Sequence, residues 1–182
     1  MVRLMRIVAD RCRRFEYTVT EEGPCAVEFA DTSWVGRPFF DCLLVTVGVE
    51  PGDSALADAA ARIVRRMVAE TDAAYIVVNG HLRVLGNRFD RTTAGVDELL
   101  SELADTLDVL AELSERLEEH GERVHLVPFG WTKTYRVEPF EPAVAQRVIH
   151  LSAFAADPAT FPAVTRQAGS LVASSGLCAR AR

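Results

Sequence analysis

Short runs of β-branched and aromatic residues alternate with two long amphipathic periods along these 182 residues. That alternation belongs to an α/β domain, a mixed β-sheet covered by two long helices. The segment 73–80 is apolar almost throughout, as a strand is when both of its faces are covered.

Residues 4–9 and about 14–20 read as two early strands, joined by the polar connection Asp10, Arg11, Cys12 and Arg13. A third strand is expected at 40–49. Pro51, Gly52, Asp53 and Ser54 then offer turn and N-cap chemistry. A helix follows over 55–70, where Leu56, Ala60, Ile63, Val64 and Met67 recur at spacings of three and four. The apolar run 73–80 comes next, with His81 at its end. A polar segment containing Arg83, Arg88 and Arg91 leads to a longer helix over 94–119, marked by Leu103, Leu107, Leu110, Leu113 and Leu117. Gly121 is placed to end it in a left-handed conformation. Two strands, 123–128 and 132–138, flank Pro128-Phe129-Gly130, and a short helix is expected around 142–150, just after Pro142. The chain therefore divides into one domain, 1–150, and a C-terminal extension, 151–182, that is either an appended helix or a loosely ordered tail.

Composition narrows the classes further. The formal charge of −6 argues against a protein that coats nucleic acid by bulk electrostatics, while leaving room for a local basic groove. No run of about 20 apolar residues exists to span a membrane, and the start lacks the order of a secretion signal, so a cytoplasmic protein is expected. Cys12, Cys25, Cys42 and Cys178 are widely spaced and read as free thiols. G-x-S-x-G, P-loop and dinucleotide patterns are absent. No metal or other cofactor is expected: His120 reads as a charge at a helix end, His125 as a solvent-side strand residue, and His150 as equally ordinary.

Of the 20 basic residues, 19 are arginines and one is Lys133. Alternation along its strand puts Trp131, Lys133, Tyr135 and Val137 on one face. Two readings follow. In apolar surroundings the ammonium is disfavoured, which makes the amine a proton acceptor or poised donor near neutral pH. Alternatively, the stem lies on the rings and the ammonium snorkels to water. His81, at the end of a central strand, is either a ligand-facing group or a hydrogen-bonded loop histidine. Arg83 and Arg88, with Arg11 near the first turn, can each meet a phosphate backbone or simply face solvent.

Several segments together resemble a family. Met5-Arg6-Ile7-Val8-Ala9-Asp10 with Phe15-Glu16-Tyr17, Leu44-Val45-Thr46-Val47-Gly48-Val49-Glu50, Asn79-Gly80-His81-Leu82 and Val127-Pro128-Phe129-Gly130-Trp131-Thr132-Lys133 are similar, in that order, to the N-terminal editing domain of archaeal-type threonyl-tRNA synthetases. That family shares a fold with D-aminoacyl-tRNA deacylases. The resemblance covers about residues 4–150 and implies hydrolysis of serine mistakenly attached to threonine tRNA. It implies catalytic roles for Lys133 and His81, and substrate contacts from Trp131, Thr132, Gly130, Phe129, Tyr135 and Gln146. Arg83, Arg88 and Arg11 are then candidates for holding the tRNA. The implied partners are the acceptor end of threonine tRNA, a separate threonyl-tRNA synthetase that the chain serves in trans, and a second copy in a homodimer. Two positions depart from the family pattern: Thr132 stands where a tyrosine is common, and Gln146 where a glutamate is common. The alternatives are a non-catalytic module of the same fold that binds tRNA or a synthetase, and a deacylase for another aminoacyl ester, such as a D-aminoacyl-tRNA.

Overall fold

The computed structural model describes residues 5–23, 26, 36–50, 52–82, 96–140 and 146–152. Six strands form one sheet: β1 (Met5–Glu22), β2 (Phe39–Val49), β3 (Tyr75–Leu82), β4 (Val124–Leu126), β5 (Trp131–Pro139) and β6 (Arg147–Leu151). Helix α1 spans Ala57–Thr71 and α2 spans Val96–Glu119. The sheet runs β4-β3-β2-β1-β5, with β6 also on β1. β2, β3 and β4 are mutually parallel, and every pairing of β1 is antiparallel. The expected α/β class, mixed sheet and two long helices are all present.

Two expectations need correction. The two early strands are a single strand, because Asp10–Arg13 continues the ladder instead of leaving it. The helix expected around 142–150 is replaced at its end by β6, which pairs Ala9–Met5 with Arg147–Leu151. β5 covers only the far part of β1, from Cys12 to Glu22. The N-terminal part of β1 therefore has open backbone groups, and the β-branched Val148 and Ile149 suit a strand that satisfies them.

The helices lie on one face. Ile7, Ala9, Leu43, Val45, Val47, Ile76 and Val78 pack with Ala60, Val64, Leu110 and Leu113 in one buried core. Gly80 makes room there: a Cβ at this position would collide with the methyl groups of Leu110. α1 is preceded by a single turn, Asp53–Leu56, in which the Asp53 carboxylate accepts the Glu50 N–H at 2.8 Å while the Asp53 N–H donates to the Glu50 carbonyl at 3.1 Å. α2 ends as its glycine predicts. Gly121 takes φ +84°, its N–H donates to the Glu118 carbonyl and the Glu122 N–H donates to the Leu117 carbonyl, a Schellman ending.

The opposite face carries a second core of Cys12, Phe15, Tyr17, Phe39, Cys42, Leu44, Val77 and Val127. Cys12 and Cys42 are buried free thiols on facing positions of β1 and β2; Cys25 and Cys178 lie outside the described residues. Membership of this core reveals a switch of parity. Odd positions of β1 point to the helices up to Arg11, yet Phe15 and Tyr17 point away from them. The switch falls at Arg13, opposite Asp41, whose φ of +58° departs from a normal strand, and the β1–β5 register shifts there too.

Side-chain contacts show that the sheet bends back at this point. By register, His125 of β4 lies level with Val77, Leu44 and Asp10. Seven residues separate Asp10 from Tyr17, roughly 23 Å along a flat strand. The Tyr17 hydroxyl nevertheless meets His125 Nε2 at 2.8 Å, so the outer half of β1 folds over the face of the inner half. His125 is thus half-buried and paired, a correction to its reading as a solvent-side residue.

Arg11 secures the bend. Its side chain is only 8% exposed, pairs with the Asp41 carboxylate and lies over the Phe140 ring. Its Nε and Nη2 donate to the Thr71 and Asp72 carbonyls at the end of α1, where a cation complements the helix dipole. Arg11→Met should lower unfolding free energy by about 1–3 kcal/mol, the range for losing charge-assisted hydrogen bonds, as read from urea denaturation. An unchanged midpoint would remove Arg11 from this role.

Candidate active site

Once the sheet has folded over, β5 faces the end of β3. Trp131, Lys133, Tyr135 and Val137 share one face of β5, and the Tyr135 ring lies 5.9 Å from that of Phe15 in the second core. On β3, Val77 belongs to the same core, so Asn79 and His81 follow it on that face. The Tyr135 hydroxyl donates to Asn79 Oδ1 at 3.4 Å, joining strands that are distant in the sheet order. Each partner of this contact sits two residues from a catalytic candidate, Lys133 on β5 and His81 on β3.

A second contact places the lysine independently. The Lys133 ammonium donates to the Pro128 carbonyl. Pro128 directly follows Val127, whose N–H donates to the Val78 carbonyl at 2.8 Å, so this carbonyl runs beside the last residues of β3. The chain reaches β5 from there through a turn in which Gly130 adopts φ +79°, a conformation that suits glycine. Gly23 is packed so closely on the Gly130 carbonyl that a Cβ there would overlap it.

Burial pulls the Lys133 amine down from its ordinary 10.5 to about 8. Its stem is half-buried while the nitrogen is hydrogen-bonded, so the desolvated reading of this lysine fits better than a free ammonium in water. Burial pushes the Tyr135 phenol up, with the Asn79 contact pulling the other way, which keeps it a hydroxyl donor near neutral pH. Beneath them, Tyr17 and Phe39 stack around His125, with ring centroids 5.7 and 4.7 Å from the imidazole. The described contacts thus put the Lys133 amine and a hydroxyl–amide pair above an aromatic floor, while His81 is exposed two residues beyond Asn79 on the same face of β3. A cation, a neutral hydrogen-bonding patch and partial exclusion of water suit binding of a polar ester and stabilisation of a developing oxyanion.

The remaining candidates are divided between this face and other parts of the fold. Thr132 is exposed on the other face of β5, and its carbonyl accepts from the Thr20 hydroxyl at 3.1 Å. Phe129 packs against the helix-side core. Trp131 is half-buried on the Lys133 face. Gln146 donates through Nε2 to both oxygens of Asp10, at 3.0 and 2.9 Å, in the interval of β1 between its pairings with β5 and β6. Burial pushes the Asp10 carboxyl up, and the Gln146 amide pulls it partly back. The Arg11 guanidinium donates through Nε and Nη2 to the carbonyls at the end of α1 and pairs with Asp41. Arg83 and Arg88 lie outside the described residues. Among the described residues, no cluster of three or more His, Cys, Asp or Glu side chains can hold a metal, and no helix is long and apolar enough to cross a membrane.

Sequence reasoning gave no role to Asn79, which appeared only within the Asn-Gly-His-Leu segment. Its position two residues before His81 on the same strand was the available signal. The Tyr17–His125 pair carried none, because it depends on the bend.

No family model matches the chain. Over 137 residues it is 29% identical to a threonine–tRNA ligase of Thermofilum pendens (strain DSM 2475 / Hrk 5), covering 74% of this chain and 20% of that protein. The chain thus spans about a fifth of the length of the curated relative it matches. The similarity points to a domain related to threonyl-tRNA synthetase and to an aminoacyl-tRNA theme.

The lysine environment has a measurable thermodynamic signature. Between pH about 8 and 10.5 the unfolded chain holds a proton on this amine that the folded chain has released, so stability contributed by this site rises with pH across that window. Lys133→Met should accordingly be more stable than the native protein at pH 7, with the gap closing as pH approaches 10.5. Urea melts of both proteins from pH 7 to 10.5 check this, and a constant gap would show that the amine is not desolvated.

Proposed function

We propose that this protein is a trans-acting aminoacyl-tRNA deacylase that removes serine from mischarged threonine tRNA, with the fold of D-aminoacyl-tRNA deacylases. The observation that supports the reading is the contact between Tyr135 of β5 and Asn79 of β3, each two residues along its own strand from Lys133 or His81. The similarity to a threonine–tRNA ligase supports the substrate class. A separate editing step has a physical basis: serine and threonine differ by one methyl group, which gives a binding site only about 1–3 kcal/mol of discrimination.

In the proposed reaction, water attacks the ester carbonyl carbon. Lys133, anchored on the Pro128 carbonyl, donates its remaining ammonium protons to the oxyanion as it forms. His81 positions the ester and the terminal nucleotide, and Trp131 lines the same face as a stacking surface. The bond between the acyl carbon and the ribose oxygen then breaks, and the proton from the attacking water passes to that oxygen. Free serine and an uncharged tRNA leave. The site's partner is thus the acceptor end of the tRNA, beside a separate threonyl-tRNA synthetase that reloads it.

Purified protein should release serine from seryl-tRNA of the threonine type and spare the threonyl ester. Lys133→Met should lower kcat/KM by about 100-fold or more, the usual loss when an oxyanion donor is removed. Because the ammonium is the working form, kcat/KM corrected for spontaneous hydrolysis should be level below pH about 8 and fall above it. Tight tRNA binding without turnover, unaffected by Lys133→Met, would instead identify a binding module.

A further inference from the structure

We infer that Asn79 and Tyr135 form a recognition element for the side-chain hydroxyl of the aminoacyl group, which makes the site prefer a seryl ester over one whose side chain lacks a hydroxyl. This rests on the deacylase reading above. The pair spans the two strands that carry Lys133 and His81, and each member lies one strand repeat from its neighbour, roughly 6.6 Å along the backbone. In a seryl ester the hydroxyl is separated from the reacting carbonyl by two carbons, a span comparable to the strand repeat between Lys133 and Tyr135, so the hydroxyl of an ester bound at Lys133 is within reach of this pair.

The chemistry of the pair suits a neutral hydroxyl. At 3.4 Å the Tyr135–Asn79 contact is well beyond the usual 2.7–2.8 Å of a hydroxyl bond. The tyrosine is 38% exposed, so a ligand can reach it. With the tyrosine proton directed at Asn79 Oδ1, the phenol oxygen still has lone pairs and the amide still has two N–H donors. A substrate hydroxyl brings one donor and one acceptor: it donates to the phenol oxygen and accepts from the Asn79 amide, closing a three-membered ring of hydrogen bonds. A methyl side chain at the same place would leave these groups without that exchange, which is the arrangement that rejects an analogue lacking the hydroxyl. The pair contains no formal charge, so it offers nothing specific to an acidic or basic side chain.

The experiment compares hydrolysis of seryl and alanyl esters on the same tRNA, using native protein, Tyr135→Phe and Asn79→Ala, with melting temperatures recorded for each. The native protein should prefer the seryl ester at least tenfold in kcat/KM. Both variants should bring that ratio to within about threefold of unity, because seryl hydrolysis falls by more than alanyl hydrolysis does. The double variant should lose no more selectivity than either single one, because the pair acts as a unit. Equal loss of seryl and alanyl hydrolysis would overturn the inference and make the pair a purely structural tie, as would a native enzyme with no preference. A native protein that hydrolyses neither ester overturns the deacylase reading itself, a distinct outcome.

Discussion

The fold turns on one backbone irregularity. Where Arg13 of β1 faces Asp41 of β2, both strands change the side on which their apolar residues point, and the sheet doubles over. A regular strand of this length would carry Phe15, Tyr17 and β5 far beyond the inner half of the sheet. The bend instead sets them above Val77, His125 and the end of β3. It lies beside the buried guanidinium of Arg11, which spans Asp41 and the last carbonyls of α1, so the turn in the sheet is fixed by the helix layer behind it.

The properties of the site follow from that doubling. Lys133 stands at the rim of an aromatic layer that exists only because two halves of one sheet are stacked, and the loss of hydration there is what weakens its hold on a proton. Behind β3, Gly80 lets α2 approach so closely that Leu110 occupies the space of a side chain. Asn79 and His81, on either side of that glycine, are thus carried by a strand with a packed rear surface and a polar front.

Much of this was legible in the sequence because it is periodic. The helical spacing of apolar residues located α1 and α2, Gly121 located the end of the second, and alternation put Lys133 with Tyr135. The continuous polarity of Asp10–Arg13 hid the unity of β1, since those residues serve a bend and a helix cap instead of a loop. The local sequence favours helix at β6 because Pro142 is a good helix starter, while the need of the β1 edge for a partner is a tertiary demand. The contacts Tyr17–His125 and Tyr135–Asn79 arise only from the doubling, so no local pattern announces them.

A chain that writes 19 of its 20 cations as arginine has, as a by-product, a single side-chain amine. That amine stands where two strands converge and holds its proton loosely enough to be a nucleophile in mildly alkaline buffer. An acylating or reductively alkylating dye would therefore have one side-chain target, and the molecule carries a built-in attachment point for a spectroscopic reporter at the place where its chemistry is expected.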